Sequence, residues 1–485
     1  MYILRDRGRL HRKGKVLSDY DLVVVGSGFA GSTAALSFLE ATERTGQVGR
    51  VALIEAGKKG TWPGGSRWSR PFLRLDRDNK LMRDRAEEAE QDRDLDYWRK
   101  FEEEVPDTVE FMENHGVRLI HHDEENAALD FEGQHFAHPV GGGKEILDHY
   151  LVLIAKYETA DVLYGHEATG LNLDDGGRIG GVVVRNAGGE ERTITADSVV
   201  LACGGFEGDP ELLSEYLGKD ADDLPIIAPG VEYNRGAGIR MTAEVGAATA
   251  GRFEMFHAEL VDPRAKTPHS VIWGHNYGIV VNEDCERFHD EGEDYLFATT
   301  EAIAHDTWRN QNQKSYFITD KTVMDRFAGT WVYETAALPP EQADTIAGLA
   351  EKLGLDPAKL EETVSEFNDA CGTGDWEPAE MDGKVTSRIT PPKSNWANPI
   401  VEAPFSGFPM KAQIKFTFGG LKVDPDGRVL NTDDAPIPGL YAAGEITGYL
   451  KQPPQTSVLR ASTFGRIVGT NVAELLPESA AATGT

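Results

Sequence analysis

The first clear pattern of apolar and polar positions is a short apolar run, Asp21-Leu-Val-Val-Val25, that breaks into Gly26-Ser-Gly28-Phe-Ala-Gly31. Ser32–Glu40 follows with helical character, and Val51-Ala-Leu-Ile-Glu55 has the make-up of a second strand. Strand, glycine turn, helix and strand over residues 19–57 predict a βαβ unit. Farther on, Val162-Leu-Tyr164, Gly180–Arg185 and Thr193-Ile-Thr195 read as strands, with Asp174-Asp-Gly-Gly177 as a hairpin turn. Asp197–Phe206 reads as a buried strand that ends in Gly204-Gly205, where backbone can come close to something bulky. Between about Asp84 and His115 the chain is charged, with Leu95, Trp98, Phe101, Val105, Val109, Phe111 and Met112 as its apolar positions. That predicts a solvated helical pair with one buried face. Another helix starts at Gly141–Leu147. From about Met255 the character changes: Ile272–Asn282 is strand-like, Glu301–Asn310 and Ala337–Asp369 are helical, and Cys371–Pro378 is a loop. Glycine-rich blocks return at Phe416–Asp424 and Pro438–Glu445, and a final helix is predicted from Ser457 to Leu476.

The opening glycines stand in the G-x-G-x-x-G spacing. Gly26 permits a sharp turn, Gly28 lets a pyrophosphate approach the backbone, and Gly31 lets helix and strand pack closely. The helix N-terminus offers unpaired N–H groups to phosphates. Glu55 ends the second strand, where a carboxylate takes ribose hydroxyls. On these residues alone the ligand is a dinucleotide, NAD as readily as FAD. Thr61–Arg74 follows, rich in Gly, Arg and Trp and without helix or strand period, as suits a loop lying against a ligand.

Composition narrows the class. A chain of 485 residues suggests two or more domains, and 40% hydrophobic residues with 52 glycines suit an α/β protein. No apolar run reaches the roughly 18 residues of a membrane helix, so no membrane span is expected. The basic start, Met1–Lys15, has no apolar segment after it and reads as a surface arm or short strand, not a secretory signal. The net charge of −31 opposes nucleic-acid binding. Cys203, Cys285 and Cys371 form no C-x-x-C pair, so no dithiol centre or metal site is expected, and a reduced, cytoplasmic setting is.

Taken together, the blocks Val25–Gly31, Val199–Phe206, Gly278–Asn282 with Arg287-Phe288, Thr417–Leu421, Pro438–Gly448 and Phe464–Ile467 resemble one family. It is the FAD-dependent fumarate reductase/succinate dehydrogenase flavoprotein superfamily, matched in order from Asp19 to Leu476. Gly64–Arg70 and Arg287–Asp294 look most like its tricarballylate dehydrogenase branch. The resemblance implies a GR2-type Rossmann-like FAD-binding domain interrupted by an α+β capping domain. The expected boundaries are an arm at 1–18, the FAD domain at 19–254 and 411–476, the cap at 255–410, and a tail at 477–485. It implies non-covalent FAD, with pyrophosphate at Gly26, Gly28, Ala30 and Gly31 and adenosine ribose at Glu55 and Ala56. Gly65, Ser66 and Arg67 would run beside the flavin and phosphates, near Gly204, Gly205 and Gly419. Gly444 and Glu445 would hold the ribityl chain, and the helix N-terminus at Ser457 and Val458 would face flavin N1 and O2.

Departures from the family set the expectations for catalysis. Fumarate reductases use a cap arginine as proton donor, and Tyr295 fills that slot, as in ketosteroid dehydrogenases. Their carboxylate-binding histidine is replaced by Phe416 with Lys415 before it. A second arginine falls at about Gln452, and the usual Gly-Gly before the last helix is Pro454-Gln455. His257 does match a substrate-binding histidine. Fumarate is therefore not the expected substrate. The catalytic candidates are Tyr295, His257, Lys415 and Arg67, among further cations Arg70, Arg74, His275, Lys411, Lys451 and Arg460. The expected activity is desaturation or reduction of a carbon–carbon bond next to a carboxylate or carbonyl, by hydride transfer with flavin N5. It needs an anionic or carbonyl-containing small molecule and an unidentified electron acceptor. A ketosteroid-dehydrogenase-like enone-forming enzyme and a flavoprotein subunit of an electron-transfer complex are the alternatives.

Overall fold

The computed structural model describes residues 11–12, 15–16, 18–60, 64–75, 95–121, 136–448 and 457–477. Two sheets organise them. The larger runs Arg428–Leu430, Pro436–Ala442, Glu191–Leu201, Tyr20–Val25, Val51–Glu55 and Ala160–Tyr164 in spatial order. The four central neighbours, Pro436–Ala442 to Val51–Glu55, and the edge at Ala160–Tyr164 are parallel. Their side chains are apolar on both faces, as a parallel sheet covered by helices requires. Gly26 takes φ +101° at the end of the first strand, and a Cβ there would strike Ala202 O. A Cβ on Gly31 would strike Gly26 O, so only glycine lets helix Phe29–Arg44 sit against that strand.

The strands expected at Thr193–Thr195 and Asp197–Phe206 are one strand, Glu191–Leu201. Its first half pairs antiparallel with Ile179–Asn186, and its second half enters the parallel sheet. The paired register ends at Leu201, and the next residue, Ala202, brings its carbonyl against Gly26. The closing helix, Ser457–Glu474, lies on Phe29–Arg44 through small residues: a Cβ on Gly465 or Gly469 would strike Ala30 O or Ala34 O. Helix Leu95–Asn114 packs beside it, with Tyr97 stacked on Phe464 at 3.9 Å. Only one helix of the pair expected in Asp84–His115 is seen, since residues 84–94 lie outside the described chain.

The second sheet is antiparallel: Phe256–Val261, Phe405–Thr417, Ser315–Thr319 and Ile279–Asn282, with Glu341–Ala343 also on the long strand. Phe405–Thr417 is continuous across the expected boundary at 410/411. Two expectations are corrected here. Ile272–Asn282 is a strand only from Ile279, after a 3-10 turn at His275–Tyr277. Ala337–Asp369 is not one helix but Ile346–Leu353 and Pro357–Ala370. Gly354 ends the first at φ +73°, and Asp356 caps the second just before Pro357, chemistry that stops and restarts a helix within three residues. Among the described residues no helix is long and apolar enough to cross a membrane.

Candidate active site

One cavity of about 790 Å³ lies between the two sheets. Its first end is built by the opening βαβ unit. Gly26, Gly28 and Ala30 line it, and a Cβ on Gly28 would stand 3.0 Å from Ser66 Oγ, so the missing side chain leaves the backbone open to a ligand. The helix at Phe29 begins without a side-chain cap from Gly28; Phe29 N donates to Ser66 Oγ at 3.4 Å, and the rest of the first turn offers N–H groups to a ligand. Glu55 Oε2 accepts from Ser27 N at 3.1 Å and from the Ser27 hydroxyl, and Oε1 accepts from Gly57 N at 2.9 Å. Burial pushes this carboxyl above its usual range, against those hydrogen bonds. Ala56, Gly65, Ser66, Gly204, Gly444, Glu445, Ser457 and Val458 complete this wall. Ser457 and Val458 belong to the first turn of an 18-residue helix, so a second helix N-terminus stands at the cavity. An open glycine cradle, a fixed carboxylate and two helix N-termini suit the pyrophosphate and ribose of a flavin adenine dinucleotide.

Beside this wall a buried carboxyl pair closes over Gly205. A Cβ there would stand 2.8 Å from Glu207 Oε2 and would strike Glu445 Oε1. Glu207 Oε1 accepts from Asn234 Nδ2 at 3.1 Å, and Glu445 Oε1 accepts from Thr417 N at 3.0 Å. Burial, then the neighbouring Glu445, pushes Glu207 well above the carboxylate range. Burial pushes Glu445 up to about 7, against hydrogen bonds from Thr417 and Glu207.

The other end of the cavity is built by the antiparallel sheet. His257 faces Phe416, but Ala258 faces Ile414, so Lys415 is the extra residue of a bulge. Neighbours on a regular strand point to opposite faces; the bulge lets both Lys415 and Phe416 line the cavity. His257 and Glu259, two apart on the facing strand, also line it. Lys415 Nζ donates to Glu259 Oε1 at 2.5 Å. His257 Nε2 is 3.4 Å from Glu259 Oε1, and its Nδ1 is 3.3 Å from Glu301 Oε2. His269 Nε2 lies 2.8 Å from Glu259 Oε2. Burial alone would push His257 down, but the carboxylates of Glu259 and Glu301 outweigh it and raise its pKa. Burial opposes the charge of Glu259 too, yet Lys415, His269 and His257 hold its carboxyl well below the usual range.

The structure does not gather every residue expected from sequence. Tyr295 is 3% exposed and outside the cavity wall; it precedes helix Leu296–Asn310 and packs in an apolar cluster with Phe136 and Trp396. Phe297, two residues on, reaches the cavity instead. Arg67 lies outside the wall, where its Nη1 donates to Asp148 Oδ1 at 2.9 Å. Gly31, Gly205 and Gly419 serve packing; Cβ atoms there would strike Gly26 O, Glu445 Oε1 and Phe253 respectively. His275 is buried with Thr300 Oγ1 3.1 Å from its Nε2, and burial pushes its pKa down to about 3. Arg70 and Arg460 line the cavity, whereas Arg74 and Lys411 do not. Lys451, Gln452, Pro454 and Gln455 lie outside the described residues. Sequence reading missed Glu259, Glu301, His269 and Glu207. Only Glu259 had a local signal, the i, i+2 spacing from His257 along a strand.

The model of the FAD binding domain family matches residues 21–452. A vinyl phenol reductase of Lactiplantibacillus plantarum is 26% identical over 94% of this chain and 96% of its own length. An NADH:acrylate oxidoreductase of Vibrio harveyi is 27% identical over 69% of this chain, which spans only 32% of that protein. The open conformation of a flavocytochrome c3 fumarate reductase superposes with a TM-score of 0.72 at 22% identity, covering 94% of this chain and 78% of that one. That likeness speaks for the fold; the match to the FAD binding domain model, together with the cavity's glycine turn, carboxylate and helix termini, gives the cofactor class. This chain belongs to the FAD binding domain family and is an FAD-dependent oxidoreductase.

Proposed function

We propose that this chain desaturates or reduces a carbon–carbon bond next to a carboxylate or carbonyl, with FAD held non-covalently. The observation that carries this reading is one cavity that joins the glycine turn and Glu55 to the buried cluster of His257, Glu259 and Lys415. Bound FAD supplies a hydride acceptor or donor at flavin N5. The chain must then supply a proton handler and a positive pole for the activating oxygen. His257 is the proton handler: its imidazole lines the cavity between two carboxylates that stabilise the imidazolium. Lys415 is the positive pole, held by Glu259. Tyr295 and Arg67 act at a remove, through packing and the Asp148 pair. Residues 255–410, with the long strand running on to Thr417, serve as the cap. Gly26, Gly28, Ala30, Glu55, Ala56, Gly65, Ser66, Gly204, Gly444, Glu445, Ser457 and Val458 serve as the FAD wall. Two relatives are named for a vinyl phenol and for acrylate, both compounds with a carbon–carbon double bond. The reaction also requires an electron donor or acceptor, and a reducing, cytoplasmic setting fits three free cysteines.

The test is anaerobic half-reactions of the FAD-loaded protein. Saturated acids or ketones should bleach the visible flavin band, or conjugated alkenes should restore it in the reduced protein. A panel of both kinds that moves the band in neither direction sinks the reading.

A further inference from the structure

The chamber around His257 is walled by rings. Phe72, Trp273, Phe297 and Phe416 line it together with Val271. Trp273 meets Phe297 edge-on with centroids 5.1 Å apart, and Phe72 lies 5.7 Å from Phe297. Aromatic walls of this kind favour a flat, unsaturated body through stacked and edge-on contacts.

The buried positive charge around His257 is already committed. Lys415 is matched by Glu259, and His257 lies between Glu259 and Glu301. A substrate carboxylate would compete with two buried glutamates and be repelled by them. Arg70 also lines this end, but it is exposed. The chain's charge of −31 further opposes the entry of an anion.

His269 is the group left to meet a polar atom. It lines the cavity and is 6% exposed. Its Nδ1 has no hydrogen-bond partner among the described residues, while its Nε2 faces Glu259 Oε2 at 2.8 Å. A buried imidazole nitrogen with no partner carries a desolvation cost that a ligand can relieve. The residue also sits at φ +60°, a left-handed conformation that strains a non-glycine residue and often marks a functional position. Burial pushes its pKa down, which favours the uncharged ring and suits a neutral oxygen.

We propose that this chamber takes a flat ring compound with one uncharged oxygen, a phenol or a ring ketone conjugated to the reacting bond, and that His269 reads that oxygen. The inference rests on the reading of the protein as an FAD-dependent oxidoreductase of carbon–carbon bonds. It excludes short dicarboxylates as the preferred substrates. Phe297 and Trp273 then select ring shape, and His269 sets how the ring is turned toward the flavin.

Two measurements on the FAD-loaded protein test it. Titration of the oxidised form with 4-ethylphenol should perturb the visible flavin band, with half-saturation at least about tenfold below that of succinate, or about 1.4 kcal/mol. His269→Asn keeps a residue type that tolerates the left-handed backbone. It should weaken 4-ethylphenol about tenfold and leave the spectrum of bound FAD unchanged. Phe297→Ala tests the wall independently and should weaken the same ligand by a similar factor. Tighter succinate binding, or unchanged 4-ethylphenol binding in both variants, overturns the proposal. In the second measurement the reduced protein is mixed without oxygen with 4-vinylphenol, 2-cyclohexenone or fumarate. Reoxidation by a ring compound and not by fumarate is expected. Reoxidation by fumarate alone overturns the substrate class and leaves the oxidoreductase reading standing. Reoxidation by none of the three overturns both.

Discussion

His257 illustrates how a single side chain acquires its chemistry from its neighbours. An isolated imidazole titrates near 6.5, and burial alone would lower that value. Here Glu259 and Glu301 reverse the sign and favour the imidazolium. As a proton donor His257 acts in its imidazolium form, so reduction of substrate by the reduced flavin should slow as pH rises through the raised pKa of His257; oxidation of substrate, which needs a base, should speed up. Single-turnover flavin reoxidation measured across pH checks this. His257→Gln should lose about 10²–10⁴-fold in rate, the usual scale of general acid catalysis, with the bound-flavin spectrum retained. Glu301→Gln removes one of the two carboxylates and should move the high-pH fall to lower pH. An unmoved profile in Glu301→Gln would show that the proton comes from elsewhere, with Lys415 as the nearest alternative on the same wall. The same accounting applies to Lys415. Its value as a positive pole depends on Glu259, whose carboxyl Lys415, His269 and His257 together hold well below the usual range.

At the scale of elements, the FAD wall depends on how closely two helices cross. Phe29–Arg44 and Ser457–Glu474 touch backbone to backbone at Ala30/Gly465 and Ala34/Gly469. Both helix N-termini stand at the cavity, so their crossing also sets the spacing of the cofactor wall. A side chain larger than hydrogen at Gly469 must push the helices apart. Gly469→Val should cost about 1–3 kcal/mol, the range for overpacking a well-filled contact. Chemical denaturation and FAD retention on gel filtration measure it. A variant as stable as the parent that still holds FAD would mean the crossing has slack. This half of the molecule was legible from sequence because its signals are local. Three glycines at fixed spacing, an apolar run before them and a carboxylate at the next strand's end need no knowledge of the rest of the chain. The substrate end was not, because its arrangement is set by pairing. Lys415 and Phe416 share the cavity only through a bulge opposite His257, and His269 lies twelve residues from His257 on a return segment with no repeating pattern. Tyr295 sits in the family's catalytic slot by counting along the chain, yet the turn before Leu296 directs it into the apolar cluster and leaves Phe297 at the wall. Likewise, the hydrophobic period could not show that Glu191–Leu201 changes partners halfway, since both halves are strand.

The whole molecule is fastened where three distant segments meet around Gly205. Glu207 follows the central strand Glu191–Leu201, Thr417 ends the long strand of the antiparallel sheet, and Glu445 follows Pro436–Ala442. Asn234 and Thr417 each donate to one carboxyl of the pair, so the contact ties the two sheets together. Two buried carboxylates this close cannot both be ionised cheaply, and one proton must be shared between them. For an acid whose folded pKa is raised, the stabilisation is full below the unfolded value near 4.5 and is lost as pH rises through the folded value. For Glu445 that window runs from about 4.5 to about 7. The expected outcome is a melting temperature for the FAD-free protein that falls steadily over this window, with continued loss above it as Glu207 in turn is forced to ionise. Glu207→Gln keeps the shape and the contact with Asn234 but removes one of the two acids whose pKa is raised, so only Glu445 is left to lose stabilisation and the slope over this window should flatten. Thermal melts of both proteins from pH 5 to 9 decide the matter. Equal slopes would show that the pair does not govern the pH dependence of folding. A flattened slope with an unchanged melting temperature near pH 5 would locate the pH sensitivity of the whole fold in this one junction, since below pH 5 the parent pair already holds its protons and differs little from the amide.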